Sequence, residues 1–231
     1  MKRALVTGGT KGLGLAIARK LKADGADVLC LYAHDDEAAR ACGLPVARCD
    51  VASAADVDAL FARERENPFH ILVHAAGFTR DKLMMMMPER DFDDVLAVHL
   101  KGGFLIAKQA QKGMIGARWG RILFVVSPTA LLGRPGQTNY GAAKAGLIGL
   151  CRSLAHEVAR FHITVNCVSA GLVETEMTSQ LSAEIKQRLL SAVPLGRMGA
   201  PGEIAAACAW LCSDGAAYVT GQVLGVDGGL T

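Results

Sequence analysis

Seven short apolar runs recur along the chain without regular alternation of apolar and polar residues. They read ALVTG (4–8), DVLCLYA (27–33), PVARCDV (45–51), HILVHAAG (70–77), RILFVVS (121–127), ITVNCVSAG (163–171) and GQVLGVDGG (221–229). A strand with one wet face alternates, so such runs point to strands buried on both faces. Stretches with helical spacing lie between them, at 13–25, about 89–115, about 138–160 and about 202–213. Parallel strands need crossovers of this kind, and right-handed crossovers wind helices onto both faces of the sheet. The expected fold is a doubly wound α/β domain, with a parallel sheet of about seven strands covered on both sides. No linker, repeat or low-complexity segment interrupts the pattern, and 231 residues suit a single domain spanning 1–231.

Composition narrows the function. Apolar residues make up 51% of the chain and aromatics 5%, so the core is aliphatic and helices can pack closely on the sheet. Net charge is +3 with acids and bases mixed, which gives no reason to expect nucleic acid as a partner. No uncharged apolar run reaches the ~18 residues of a membrane span. The start, MKRALVTGG, meets glycine before a signal-like apolar region develops. The seven cysteines are scattered, form no CxxC, and at 208 and 212 lack partners for a metal set. They read as reduced thiols of a cytoplasmic protein that holds no metal.

The turn TGGTKGLG (7–14) joins the first strand to the first helix. Gly8, Gly12 and Gly14 permit a tight turn and let backbone approach a pyrophosphate at the helix N-terminus. A P-loop is excluded, because no Gly-Lys-Ser/Thr follows. A second constellation lies in SPTALLGRPGQTNYGAAKAG (127–146). Tyr140 and Lys144 are four apart on a helix starting near residue 138, so they share a face. An ammonium there favours phenolate and would bring Tyr140 towards use as an acid or base near neutral pH. Ser127 closes a strand at the carboxyl edge of the sheet, where such folds bind ligands.

Together these motifs resemble the short-chain dehydrogenase/reductase family, which carries TGxxxGxG and then a Ser, a Tyr about 13 later and a Lys four further on. Here the spacings from Ser127 to Tyr140 to Lys144 are 13 and four. The segment from 194 to 229 is similar to the tail of 3-oxoacyl-[acyl-carrier-protein] reductases. The resemblance implies a Rossmann-type fold and reduction of a ketone. Ser127 would hold the substrate carbonyl, and Tyr140 would donate a proton to it as hydride arrives from the nicotinamide. Lys144 would hold the ribose hydroxyls and keep the Tyr140 pKa low. It also implies a dinucleotide cradle of Gly8, Thr10, Lys11, Gly12, Leu13, Gly14, His34, Asp50 and Val51. Ala75, Ala76 and Gly77 (from HAAG, where the family has NNAG) and Gly171, Val173 and Thr175 complete it, with Tyr140 and Lys144.

Several positions depart from the pattern. The fourth catalytic place, usually Asn, is His99 in VHLKG. Neutral imidazole has one donor and one acceptor, so His99 either relays protons or fills the space. His74 and Ala75 replace the two Asn of NNAG, and Ala170 replaces a Pro before Gly171. At the end of the second strand, where NAD enzymes place an acid, stands Tyr32, with no acid before Asp35. Lys11 resembles the basic residue that faces a 2′-phosphate. The expected cofactor is therefore NADP(H).

The expected reaction is NADPH-dependent reduction of a 3-oxoacyl thioester, borne by an acyl carrier protein, in fatty-acid or polyketide-type synthesis. The rivals are a stand-alone reductase of small ketones or sugars and a non-catalytic NADP-binding protein. An acidic carrier calls for basic residues near the cleft, and Arg118 and Arg160 are the candidates. Residues 174–195 are expected to close over the substrate, and the family implies a homotetramer. The run LMMMMPERD (83–91) aligns with a reductase segment rich in Leu and Met. Met84, Met85 and Met87 then read as adaptable packing at the cleft or subunit edge. Met86 stands where carrier-using reductases often have Arg, which makes it a third candidate carrier contact.

Overall fold

The computed structural model describes residues 1–179 and 183–231. The chain runs β1 (Arg3–Thr7), α1 (Gly12–Ala23), β2 (Asp27–Tyr32), α2 (Asp36–Ala41), β3 (Val46–Arg48), α3 (Ala54–Arg63) and β4 (Ile71–His74). It continues through α4 (Glu89–Leu96), α5 (Gly102–Ala117), β5 (Gly120–Val126), α6 (Thr129–Leu132), α7 (Thr138–Val158) and β6 (Ile163–Ala170). The last elements are α8 (Glu176–Ser179), α9 (Ala183–Leu190), α10 (Pro201–Leu211) and β7 (Val223–Val226). All seven apolar runs form strands of one parallel sheet, in the order β3-β2-β1-β4-β5-β6-β7. The chain passes from β3 at one edge across to β4, beside β1. A crevice therefore opens at the carboxyl ends of β1 and β4, the place where such sheets take ligands.

Successive strand residues face opposite layers. Leu5, Leu72, Ile122 and Phe124 pack with Ile106 and Met114 of α5 and with Leu147 and Cys151 of α7. Val6, Val73, Leu123 and Val125 pack on the other side with Ile17 and Leu21 of α1 and with Ile204 and Cys208 of α10. Each such fully buried aliphatic side chain stabilises the fold by roughly 1.5–3 kcal/mol. All seven cysteines are free and buried, which accounts for them as small apolar packing.

The long helical stretch at 89–115 differs from expectation. It is two α-helices joined by a π-helical turn, Ala97–Lys101, with His99 inside it. A π-turn widens the helix by one residue and re-aims the side chains around it, and it is commonly found at functional sites. The segment between β2 and β3 shrinks to the short α2, whose first turn is capped by Asp35 accepting from the Ala38 N–H at 2.9 Å. The expected closing segment, 174–195, contains α8 and α9, and its residues 180–182 lie outside the described residues.

Candidate active site

Ser127 follows the last residue of β5, and Tyr140 and Lys144 project from the first turns of α7. The shared helical face brings the Lys144 ammonium over the Tyr140 ring, 5.5 Å from its centroid. The His99 ring meets Tyr140 edge-on, with centroids 5.2 Å apart. Ser127, Tyr140, Lys144 and His99 are thus brought together at the carboxyl edge of the sheet.

Burial sets the electrostatics. It pushes the Tyr140 phenol up to about 12; the hydrogen-bonded Ser127 side chain pulls the other way, and the Asp81 charge adds to the rise. Burial also pushes the Lys144 ammonium down to about 7, although its Nζ donates to the Val125 carbonyl at 2.6 Å. The sequence suggested that Lys144 would hold Tyr140 low. In this geometry burial wins, and Ser127 rather than Lys144 opposes it.

Behind the triad lies a buried network that the sequence did not reveal. The register of β1 on β4 places Thr7 beside His74. Thr7 Oγ1 accepts the N–H groups of Ala75 and Ala76 at 3.2 and 3.0 Å. Its own proton is then left for His74 Nδ1, 2.9 Å away. That fixes the tautomer: His74 carries its proton on Nε2 and donates it to the His99 carbonyl at 3.0 Å. Desolvation holds His74 down to about 4 and His99 down to about 2, with the Lys144 charge adding to both. Both imidazoles are neutral at ordinary pH. His99 Nε2 faces the Phe78 backbone, 2.9 Å from its oxygen and 3.2 Å from its nitrogen. His99 Nδ1 is buried with no hydrogen-bond partner among the described residues. The one sequence signal for this network was that two expected Asn positions both carried His.

The glycine turn has the build of a pyrophosphate cradle. A side chain on Gly14 would overlap the Gly8 carbonyl, so only glycine lets α1 start this close to β1. The Lys11 side chain does not cap α1, and its first turn holds no acid. The free N–H groups and positive helix end are therefore open to an anion. Gly8, Thr10, Gly12 and Leu13 line this turn. Ala75, Ala76 and Gly77 follow β4 directly across from it, and a Cβ on Gly8 would meet the Ala76 backbone at 2.9 Å. Asp50 and Val51 follow β3 on the far side, where Asp50 Oδ1 accepts the Ala52 N–H at 2.9 Å. His34 is exposed beyond β2. Gly171, Val173 and Thr175 follow β6, with Gly171 held to β7 through the Val226 carbonyl at 3.1 Å.

Lys11 is not free. Its ammonium pairs with Asp35 at 2.7 Å, so the acid absent from the end of β2 arrives from the next loop. Arg118 and Arg160 do not line this cleft. They flank the amino ends of β5 and β6, with the Arg118 guanidinium donating to the Arg160 carbonyl at 3.3 Å. Seven strand residues separate Arg118 from Ser127, which puts about 20 Å between them. Met86 lies instead at the carboxyl edge, in a short 3-10 turn. Met84, Met85 and Met86 are 77%, 91% and 71% exposed, so the described residues leave most of their surface bare. Met87 is half-buried and its sulfur accepts from Thr138 Oγ1 at 3.7 Å.

Comparison with known proteins places this site in a lineage. A profile of the family described as enoyl-(acyl carrier protein) reductase matches residues 8–231. The chain is 42% identical to the 3-oxoacyl-[acyl-carrier-protein] reductase FabG of Aquifex aeolicus, over 99% of this chain and 97% of that protein. It is 41% identical to FabG of Escherichia coli, with the same coverage. It is 38% identical to MabA of Mycobacterium tuberculosis, likewise a 3-oxoacyl-[acyl-carrier-protein] reductase, over 99% of this chain and 92% of that one. With the glycine turn, the Ser127–Tyr140–Lys144 geometry and this full-length likeness, the chain belongs to the short-chain dehydrogenase/reductase family.

Proposed function

We propose that the protein reduces the 3-keto group of an acyl thioester, with NADPH as reductant. The observation that carries this is the meeting of the Ser127, Tyr140 and Lys144 side chains beside an uncapped, glycine-lined helix N-terminus. Whole-length likeness to several 3-oxoacyl-[acyl-carrier-protein] reductases supports the substrate class. The glycine turn, Ala75–Gly77 and Gly171–Thr175 would hold the dinucleotide, which supplies the hydride when bound. Ser127 fixes the carbonyl oxygen, and Tyr140 delivers a proton to it as negative charge develops there. Lys144 reaches the ribose and changes charge near pH 7. His99, neutral and wedged against Tyr140, either passes a proton through Nδ1 or shapes the pocket.

The thioester is presented by an acidic carrier protein. A carrier touching Arg118 or Arg160 would sit about 20 Å from Ser127 of the same chain, so Met86 and the carboxyl-edge loops are the nearer docking surface. Four copies assemble in the cytoplasm. The α4–α5 face offers a shallow apolar recess of about 470 Å³, lined by Leu96, Ala97, Leu100 and Phe104, that suits pairing of these helices. Among the described residues, no helix is long and apolar enough to cross a membrane.

The test is oxidation of NADPH by acetoacetyl thioester, free and carrier-bound. Tyr140→Phe is expected to lower kcat by at least about a hundred-fold while NADPH binding, read by fluorescence, stays near wild type. Retention of most activity would overturn the assignment. Turnover of free ketones alone would favour the stand-alone carbonyl reductase.

A further inference from the structure

A chain of polar side chains leads away from Ser127. Ser127 Oγ lies 3.4 Å from Thr129 Oγ1, Thr129 Oγ1 lies 3.1 Å from Gln137 Oε1, and Gln137 Nε2 lies 2.8 Å from Asp81 Oδ2. We infer that Asp81 sets the direction of this chain and is a positioning residue for the Ser127 and Tyr140 hydroxyls. The inference rests on the proposed role of Tyr140 as proton donor.

The direction follows from what each group can do. Asp81 is exposed, and its carboxylate oxygens accept. Gln137 must turn its amide nitrogen to Asp81, which leaves its oxygen facing Thr129. Gln137 is 6% exposed and is held in that orientation by protein groups. The Thr129 hydroxyl then donates to Gln137, and towards Ser127 it can only accept. With no substrate bound and Tyr140 protonated, Ser127 therefore gives its proton to Thr129, while the Thr129 N–H points at Ser127 Oγ from 3.3 Å. To donate to a phenolate or to the substrate carbonyl, Ser127 must give up that bond. The Ser127 proton is drawn away from Tyr140, so Ser127 stabilises a Tyr140 phenolate less than it could. The Asp81 charge also opposes the phenolate. Both effects keep Tyr140 protonated, the form that reduction consumes. The chain also ties the loop after β4 to the start of α7, where the Lys82 N–H donates to the Gly136 carbonyl at 2.8 Å.

Other charges face Tyr140 too. Lys144 lies on its own helix and neutral His99 on the π-turn. Asp91 of α4 is already paired with Arg80 and Lys82 at 3.0 Å each. Asp81→Asn leaves these in place and removes one charge. Asn both donates and accepts, so Gln137 can turn over and the chain can run either way.

Wild-type turnover of acetoacetyl thioester establishes the underlying reading first. The alkaline limb of the pH–rate profile, and the ultraviolet titration of the tyrosinate that disappears in Tyr140→Phe, are then followed in variants. In Asp81→Asn both should move at least about half a pH unit down, because reduction fails as Tyr140 loses its proton. Asp81→Glu should restore the wild-type limb. Gln137→Met, which cuts the chain but keeps the charge, should move the limb the same way by a smaller step. An unmoved limb in Asp81→Asn overturns the inference while leaving Tyr140 as donor. A shift in Asp81→Asn with none in Gln137→Met reduces Asp81 to a nearby charge and overturns the chain.

Discussion

Lys11 and Asp35 pair beside the glycine turn, where the far end of the proposed cofactor would lie. Lys11 precedes the middle glycine of the turn, and its ammonium is held by Asp35, which also caps α2. A 2′-phosphate arriving there must compete with a carboxylate already in place. Asp35→Asn keeps a capping side chain and removes the competing charge. The expected outcome is a fall in the NADPH KM of about two- to five-fold, the scale of an exposed ion pair, with NADH little affected. Lys11→Ala should raise the NADPH KM instead. Initial rates with both cofactors check this; an unchanged NADPH:NADH ratio in both variants would mean that neither side chain reads the phosphate. The glycines of this turn were legible in sequence because their role is set by spacing within eight residues. The Lys11–Asp35 pair was not, because it joins residues 24 apart whose meeting depends on how short the β2–β3 connection folds.

At the level of elements, the parallel strands and α7 could be read because burial on both faces leaves continuous apolar runs and a helix leaves a four-residue spacing. The π-turn could not, since inserting one residue into a helix leaves the apolar pattern nearly intact. It meets a fitted partner across the fold. The His99 ring packs directly on Gly77, and a Cβ added to Gly77 would overlap the ring. The turn after β4 and the π-turn are thus fitted to each other, and His99 needs glycine at 77. Gly77→Ala should destabilise the protein by roughly 1–3 kcal/mol, the range for overpacking, and lower turnover by displacing His99 from Tyr140. His99→Ala removes the obstructing ring. In the double variant the Gly77→Ala cost should largely vanish, which denaturant unfolding of the four proteins can measure. Additive losses would show that Gly77 is required by its backbone and not by His99.

Across the whole molecule, titratable groups of the candidate site are built into the core, and that makes stability depend on pH. His74, His99 and Lys144 are all buried, and each has a folded-state pKa below its ordinary value: about 4, about 2 and about 7. In each case the unfolded chain binds a proton that the folded chain refuses, so stability falls as pH falls. For Lys144 the window runs from about 10.5 down to 7. For the histidines it opens at about 6.5 and closes near 4 for His74 and near 2 for His99. Asp91 and Glu203 are held low by their cationic partners and act in the same sense, but only below the ordinary carboxylate range. Between pH 6 and 5 these two histidines act together with His70, whose partly buried imidazole is also held below its ordinary value by desolvation and by the nearby Lys2 charge. The cofactor-free protein should lose about 1.4 kcal/mol per pH unit for each of His74 and His99 there. His99→Asn should take about 1.4 kcal/mol per pH unit off that slope, because one refused proton is gone, whatever the substitution does to stability at pH 8. Urea midpoints taken at half-unit steps would show it, and an unchanged slope would mean that the imidazole of His99 takes up its proton in the folded protein.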